Sequence, residues 1–419
     1  MNPDRDDIVI LTAILLFISC IYMIQTFRFV KAGEIRLLNL RISSAFAQTL
    51  PQDRWLNNSP LSAFNPACIP IDLSPQKKNR LDMRNRLIVA NQILSIHELF
   101  HDWGGPFSPR DKNRALISGE TELAFGRDGW RMSYLRRIEL FLRANRGLVE
   151  LAWYDKNEAP LPLDHTFPLH LEGEGFEAHG LKFAHGRRFT YMGEKEIGLG
   201  FALSLLRGIR MQKAIVQGEA QVLGSKDYDY FGALYYYYNH NYLYDRENID
   251  IGNGNGISFD IGLGLDITPQ LSGSVLFHDI WGRIWWEDVP FTDAQFDSHN
   301  KEYDENGYVK YNPSISGREL KVDFTQRILP KTNLSFNYHK EEWAFVIFAD
   351  FIKGDIYPNA LLKYNLSDSL TLDCGYDLFF HQIHIAAKYQ RFLLGISFDR
   401  VEPEKAGAFS LALDFGFNF

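Results

Sequence analysis

Three observations predict an all-β chain that closes into a transmembrane antiparallel β-barrel of about 14–16 strands. Beyond about residue 110 the hydrophobic period is two. Aromatics make up 14% of the chain and glycine 32 of its 419 residues, while the mean hydropathy of -0.22 is too low for a bundle of membrane helices. The last ten residues, SLALDFGFNF, alternate large apolar with small or polar side chains.

Residues 1–47 read as a targeting segment. Ile8 to Ile24 form an uncharged apolar run near the lower length limit of a membrane-spanning helix. Ala45-Phe46-Ala47 before Gln48 matches a small-residue cleavage site. Arg28, Lys31, Arg36 and Arg41 stand between run and site, and MNPDRDD precedes the run. Export with cleavage after Ala47, leaving a mature chain that starts near Gln48, is the expectation, with a start at Met23 or an uncleaved anchor as the other readings of this order. Residues 48–85 hold Pro51, Pro60, Pro66, Pro70 and Pro75 among Asn and Ser without a sustained period. They are expected to form a loop-rich lead-in, with the barrel over 86–419.

The stretch HELFHDWGGPF contains His97-Glu98-xx-His101, the spelling of a zinc hydrolase. On a helix the two histidines would share one face about 6 Å apart, close enough for one ion. On a strand they would stand about 13 Å apart, too far. Val89, Ile93, Ile96 and Phe100 fit a helical period, whereas Ile96, Glu98 and Phe100 alternate against His97, Leu99 and His101. A third histidine at the metzincin offset is missing, since position 107 is Phe107, and Glu120 or Glu122 would have to substitute from a strand-like stretch. The expectation is therefore no metal and no cofactor, with a zinc hydrolase on His97, Glu98 and His101 as the competing reading.

GISFDIGLGLDIT shows the dominant pattern. Ile257, Phe259, Ile261, Leu263 and Leu265 fall on one face, and Ser258, Asp260, Gly262, Gly264 and Asp266 on the other. A strand sends successive side chains to opposite sides, so one face is oily and one wet. Leu320, Val322 and Phe324 alternate with Lys321, Asp323 and Thr325. Leu334, Phe336 and Tyr338 follow the same rule, as do Leu370 to Leu378, Ile383 to Tyr389, and Phe392 to Phe398. Gly252, Gly254 and Gly256 lie in a link between strands, not in a phosphate cradle.

A soluble sandwich also alternates. Three features favour a membrane barrel. Tyr235 to Tyr238 and Trp281, Trp285 and Trp286 collect near segment ends, where amphipathic rings suit a headgroup boundary. Brief turns such as Thr268-Pro269-Gln270 contrast with the long link Asp288 to Pro313, an asymmetry of short and long connections.

The C-terminus is a third feature. Leu411, Leu413, Phe415, Phe417 and Phe419 share one face. This ending resembles the closing strand of bacterial outer-membrane β-barrels. The resemblance implies short periplasmic turns, longer extracellular loops, residence in the cell outer membrane among its lipids, and recognition by the barrel-assembly machinery.

Charge and cysteine content exclude other classes. Lys and Arg number 44 against 52 Asp and Glu, net -8, with no basic block for nucleic acid. Cys20, Cys68 and Cys374 show no CxxC spacing. His339, His381 and His384 fall on strand-like segments, and no serine stands beside one in sequence as a nucleophile would.

The expected function is porin-like passage of small solutes without enzymatic activity, with a closed structural or adhesive barrel as an alternative. Asp260, Asp266, Lys321, Asp323, Asp373, Asp377 and Lys388 are the charged residues expected to line the lumen.

Overall fold

The computed structural model describes residues 79–418, apart from 94, 96–97, 99–107, 192–194, 240–252, 299–300, 304–308, 312–314 and 403–404. The targeting segment, nearly all of the lead-in, His97, His101 and Phe419 lie outside these residues. In order the elements are β1 (Arg80–Asn91), β2 (Lys112–Arg127), β3 (Trp130–Asn145), α1 (Arg146–Lys156), β4 (Thr166–Tyr191), β5 (Lys195–Gly224), β6 (Asp227–Tyr238), β7 (Gly254–Asp266), β8 (Leu271–His278) and β9 (Arg283–Asp297). They continue with β10 (Lys301–Tyr303), β11 (Val309–Tyr311), β12 (Ile315–Arg327), β13 (Lys331–Lys340), β14 (Trp343–Ile352), β15 (Asp355–Ser367), β16 (Leu370–Asp377), β17 (Gln382–Tyr389), β18 (Phe392–Phe398) and β19 (Ala408–Asn418).

Seventeen segments share one sheet. In three places two segments lie end to end along the same partner. β6 and β7 both run down β5, β9 and β8 run along β7, and β12 and β13 run along β9 and β8. The ring therefore has fourteen staves, all antiparallel, within the range the alternation predicts. β19 pairs with β1 and closes it.

The turns at one end are tight. Asp128-Gly129 joins β2 to β3 with φ of 50° and 81°, the left-handed pair that a two-residue hairpin needs. A Cβ at Gly129 would sit 2.7 Å from the Gly186 carbonyl oxygen, so this turn requires glycine. Asn418 stands opposite Arg80 at the same end. Short turns mark the periplasmic side.

The distribution of exposure identifies the solvent. Met83, Leu123, Phe345, Ile347, Ile383, Ile385, Phe415 and Phe417 are exposed on the outer face, whereas Asp82, Glu122, Arg131, Asp260, Asp350 and His384 are buried on the inner one. A water-soluble barrel would reverse this arrangement. An apolar exterior around a polar interior belongs to a barrel in lipid. None of the described helices is long and apolar enough to cross a membrane; the strands do so.

The first strand begins at Arg80, six residues before the expected boundary, because Leu81 and Met83 already alternate with Asp82 and Arg84. Two further expectations change on the extracellular side. Much of the link after Asp288 is strand: Phe291 to Asp297 pair with β6, and β10 and β11 form a small hairpin. The tyrosine run is not a girdle, since Tyr236 and Tyr238 are fully buried.

Those tyrosines belong to a wall that rises beyond the apolar belt. β4 has 26 residues and β5 has 30, nearly three times the roughly 10 that a bilayer crossing needs. Phe167, Leu169, Leu171, Val216, Leu234, Tyr236 and Tyr238 form an apolar patch on the outer face of this extension, and Leu148 and Leu151 of α1 pack against it. Each buried leucine contributes about 2 kcal/mol. Asn145 caps α1, its Oδ1 accepting from the Leu148 N–H at 3.2 Å, and Arg146 pairs with Glu150 one turn on at 2.6 Å.

Candidate functional site: a lumen crossed by ion pairs

The short wall reaches across the lumen to the tall one. At the β14–β15 turn, Asp355 binds Arg114 of β2 and, at 2.8 Å, Arg143 of β3. Arg143 also donates to the Lys353 carbonyl oxygen at 2.6 Å. Lys353 in turn sends its ammonium to Glu172 of β4 at 2.6 Å. Beside this bar, Phe141, Tyr357, Phe379 and Phe380 pack with Leu116 and Ile352. The Arg143 and Lys353 cations lie 5.1 and 5.2 Å from the centre of the Phe141 ring. The β16–β17 turn is drawn inward because Asp377 accepts from the backbone N–H of Phe379 and Phe380 at 2.7 and 2.8 Å.

A second bar lies deeper, within the membrane-spanning part. Arg137 binds Glu139 and Asp279; Lys331 binds Glu139 and, at 3.3 Å, Asp279. Lys182 binds Asp260 at 2.9 Å, and Asp260 also accepts from the Asp279 N–H at 2.9 Å. Three cations meet three carboxylates from β3, β4, β7, β13 and the end of β8, and Glu120 of β2, opposite Arg137, lies in the field of Arg137 and Lys182 as well, so every cation of this layer is matched by carboxylates. Removing one partner of such a buried group would leave an uncompensated charge, which is what makes the layer rigid.

Trp286 crosses beside it. Its indole N–H donates to Gln326 at 3.1 Å, and the Gln326 amide donates to the Gly175 carbonyl oxygen of β4 at 3.0 Å. The ring lies over Gly208 and Gly254, where a Cβ would come within 2.3 and 2.7 Å of ring carbons. The expected girdle role of Trp286 is thus corrected, while Trp281 and Trp285 are exposed on the outer face. Leu116, Leu140, Phe141, Phe176, Leu329 and Ile352 wall a small chamber that Glu139, Glu174, Gln326, Arg327 and Lys331 also border.

Of the expected lumen residues, Asp260, Asp266, Asp373 and Asp377 are buried on the inner face. Lys388 lies on the same face of β17 as His384, near the periplasmic turn. Lys321 and Asp323 do not face the lumen. They are exposed on the side of β12 opposite Gln326. The chain breaks at Ile328 to Pro330 between β12 and β13, and β12 lies beyond the apolar belt, where the wet face is the outer one.

The structure also supplies a pair that local sequence hides. His384 Nδ1 lies 3.0 Å from Ser397 Oγ on the neighbouring strand, and Ser410 donates to Ser397 at 2.6 Å. His384 Nε2 meets no hydrogen-bond partner among the described residues, so no carboxylate completes a triad. Glu98 of the zinc-like stretch accepts from the Ser95 N–H at 2.8 Å while its own N–H donates to the Ser95 hydroxyl. Among the described residues no three metal-ligating side chains converge.

No family model matches the chain, and no curated protein is similar to it at a significant level. It is similar in structure to a deltaS2S3 mutant of the TodX monoaromatic hydrocarbon channel, with 10% identity over 87% of this chain and 95% of that one and a TM-score of 0.44. It is similar to the toluene transporter TodX of Pseudomonas putida, with 9% identity over 81% and 88% of the two chains and a TM-score of 0.36. A FadL homologue of Pseudomonas aeruginosa matches at 11% identity over 87% and 92%, with a TM-score of 0.37. Likeness at this level assigns neither family nor ligand.

Proposed function

We propose that the barrel is an outer-membrane channel for small, uncharged and largely apolar solutes. The chamber between the two ion-pair bars carries this reading. Leu116, Phe141, Phe176, Leu329 and Ile352 supply its apolar walls, with Glu139, Glu174, Gln326, Arg327 and Lys331 at its border, and apolar walls with a few polar groups suit a neutral ligand better than a hydrated ion. The bars support it as well. Their charges pair with one another, so they offer no unpaired ring of one sign to draw an ion through. An ion would have to break several buried pairs and lose its hydration, a cost that rises steeply in a low-dielectric lumen. A small apolar solute pays neither cost and needs only room.

The test uses the full chain in planar bilayers and in vesicles. The expected result is little or no steady ion conductance, together with entry of a small aromatic solute into protein-containing vesicles and quenching of tryptophan fluorescence. A steady ohmic pore for potassium chloride would overturn this reading.

A further inference from the structure

On the outer wall, three arginines interrupt the apolar series of their own staves near its extracellular edge, with Ile209 exposed beyond Arg207 and Trp285 beyond Arg283. On β5 the outward series Leu199, Phe201, Leu203 and Leu205 is followed by Arg207. On the β8–β9 stave Phe277, Ile280 and Trp281 lead to Arg283, and on the β13–β12 stave Phe336 and Leu334 lead to Arg327. All three are exposed. Arg283 and Arg327 stand directly opposite in register, with Trp285 next along β9, opposite Asn255, which is itself opposite Arg207. The outward-facing set therefore covers four adjacent staves at the extracellular edge of the belt.

None of the three has a carboxylate partner among the described residues. Arg207 donates to the Asn255 side chain at 2.8 Å, and Arg283 lies 5.5 Å from the centre of the Trp281 ring. Glu287, Asp288 and Asp323 are the nearest exposed acids along these strands, and none is ion-paired to an arginine of the set. Like charges directly opposite each other in a sheet are destabilising, so the Arg283–Arg327 pair calls for an anion between its guanidinium groups. The site's depth says which anion. Its lower edge is hydrocarbon, and Trp281 and Trp285 are the rings that prefer a headgroup boundary. Arginine stems can lie along apolar surface while the fork reaches phosphate oxygens in pairs.

We propose that Arg207, Arg283 and Arg327, framed by Trp281 and Trp285, form a ledge for the phosphorylated headgroup of a glycolipid in the outer leaflet. The ledge needs the barrel in its membrane but is independent of what passes through the lumen.

The test is native mass spectrometry of the full chain in non-ionic detergent, titrated with bis-phosphorylated lipid A, with the same lipid stripped of phosphate, and with phosphatidylethanolamine. Retention of the phosphorylated lipid is expected to fall roughly a hundredfold in the Arg207→Gln, Arg283→Gln, Arg327→Gln triple variant, and much less in the corresponding triple Lys variant. Each variant is first checked for heat-modifiable gel mobility. If the triple variant loses it, Arg327→Gln alone serves, with an expected loss of about fivefold. Unchanged retention in the folded Gln variant, equal binding of the dephosphorylated lipid, or displacement by millimolar inorganic phosphate would each overturn the proposal.

Discussion

Asp355 and Arg143 meet at 2.8 Å although 212 residues separate them and they come from opposite walls of the ring. Arg114 joins the same carboxylate, so one side chain ties the short wall to two staves of the tall one. The β14–β15 turn is thereby held across the lumen. Asp355→Asn would leave two guanidinium groups with a weaker, neutral partner, at a cost of about 1–3 kcal/mol to the closed arrangement. The expected outcome is a faster entry of small solutes into vesicles and intermittent conductance in bilayers. Unchanged permeability would show that the turn is not a barrier.

The second strut of this turn gives a pH dependence. Glu172 lies on β4 nine positions beyond the belt residue Leu181, outside the membrane-spanning part. Burial pushes its carboxyl up, but the Lys353 ammonium bonded to it, together with Arg143 and Lys213, more than offsets this and holds it below the ordinary value of 4.5. A carboxylate whose folded value is depressed contributes stability that is fully present above its unfolded value and is lost as pH falls through the folded one. Permeability is therefore expected to stay flat from neutral pH down to about 5 and to rise in more acid solution. Glu172→Gln should abolish that acid limb. The size of the effect is modest, because Glu172 and Lys353 are both partly exposed.

Trp286 and Gly208 make a packing prediction. A methyl group at position 208 would lie 2.3 Å from the indole ring, so Gly208→Ala is expected to displace Trp286 and cost about 1–3 kcal/mol. The readouts are a lower temperature for the gel-mobility shift and a changed Trp286 emission. Combining Gly208→Ala with Trp286→Leu should recover much of the loss, since the smaller side chain leaves room. Additive losses in the double variant would show that the two residues do not share this contact.

The barrel was legible because a strand in lipid must show one apolar face, and Ile257 to Leu265 or Ile383 to Tyr389 display that face without help from distant residues. What stayed hidden depends on non-local pairing. Nothing near Asp355 announces Arg114 or Arg143, and nothing near His384 announces Ser397. Lys321 and Asp323 were misplaced for another reason. Alternation gives two faces but does not say which one is wet, and beyond the belt the assignment reverses. The tall wall was concealed in the same way: Phe167, Leu169 and Leu171 look like lipid-facing residues, yet α1 covers them.

Lipid and water can be told apart at single positions of the surface. Ile385 in β17 is 56% exposed and Val401, in the β18–β19 link, is 82% exposed. In water, arginine at either site would change stability by no more than about 0.5 kcal/mol, since neither side chain is packed. In a bilayer the two sites differ. Ile385 has apolar outward neighbours on both sides, Ile383 along its own strand and Ile396 opposite it in β18, which places it within the hydrocarbon. Ile385→Arg is therefore expected to cost about 2–4 kcal/mol, the usual penalty for a cation on the lipid face near the midplane. Val401→Arg lies beyond the belt and should be nearly neutral. Reversible urea unfolding in vesicles measures both, and equal values at the two sites would contradict the assignment of the exposed apolar face to lipid.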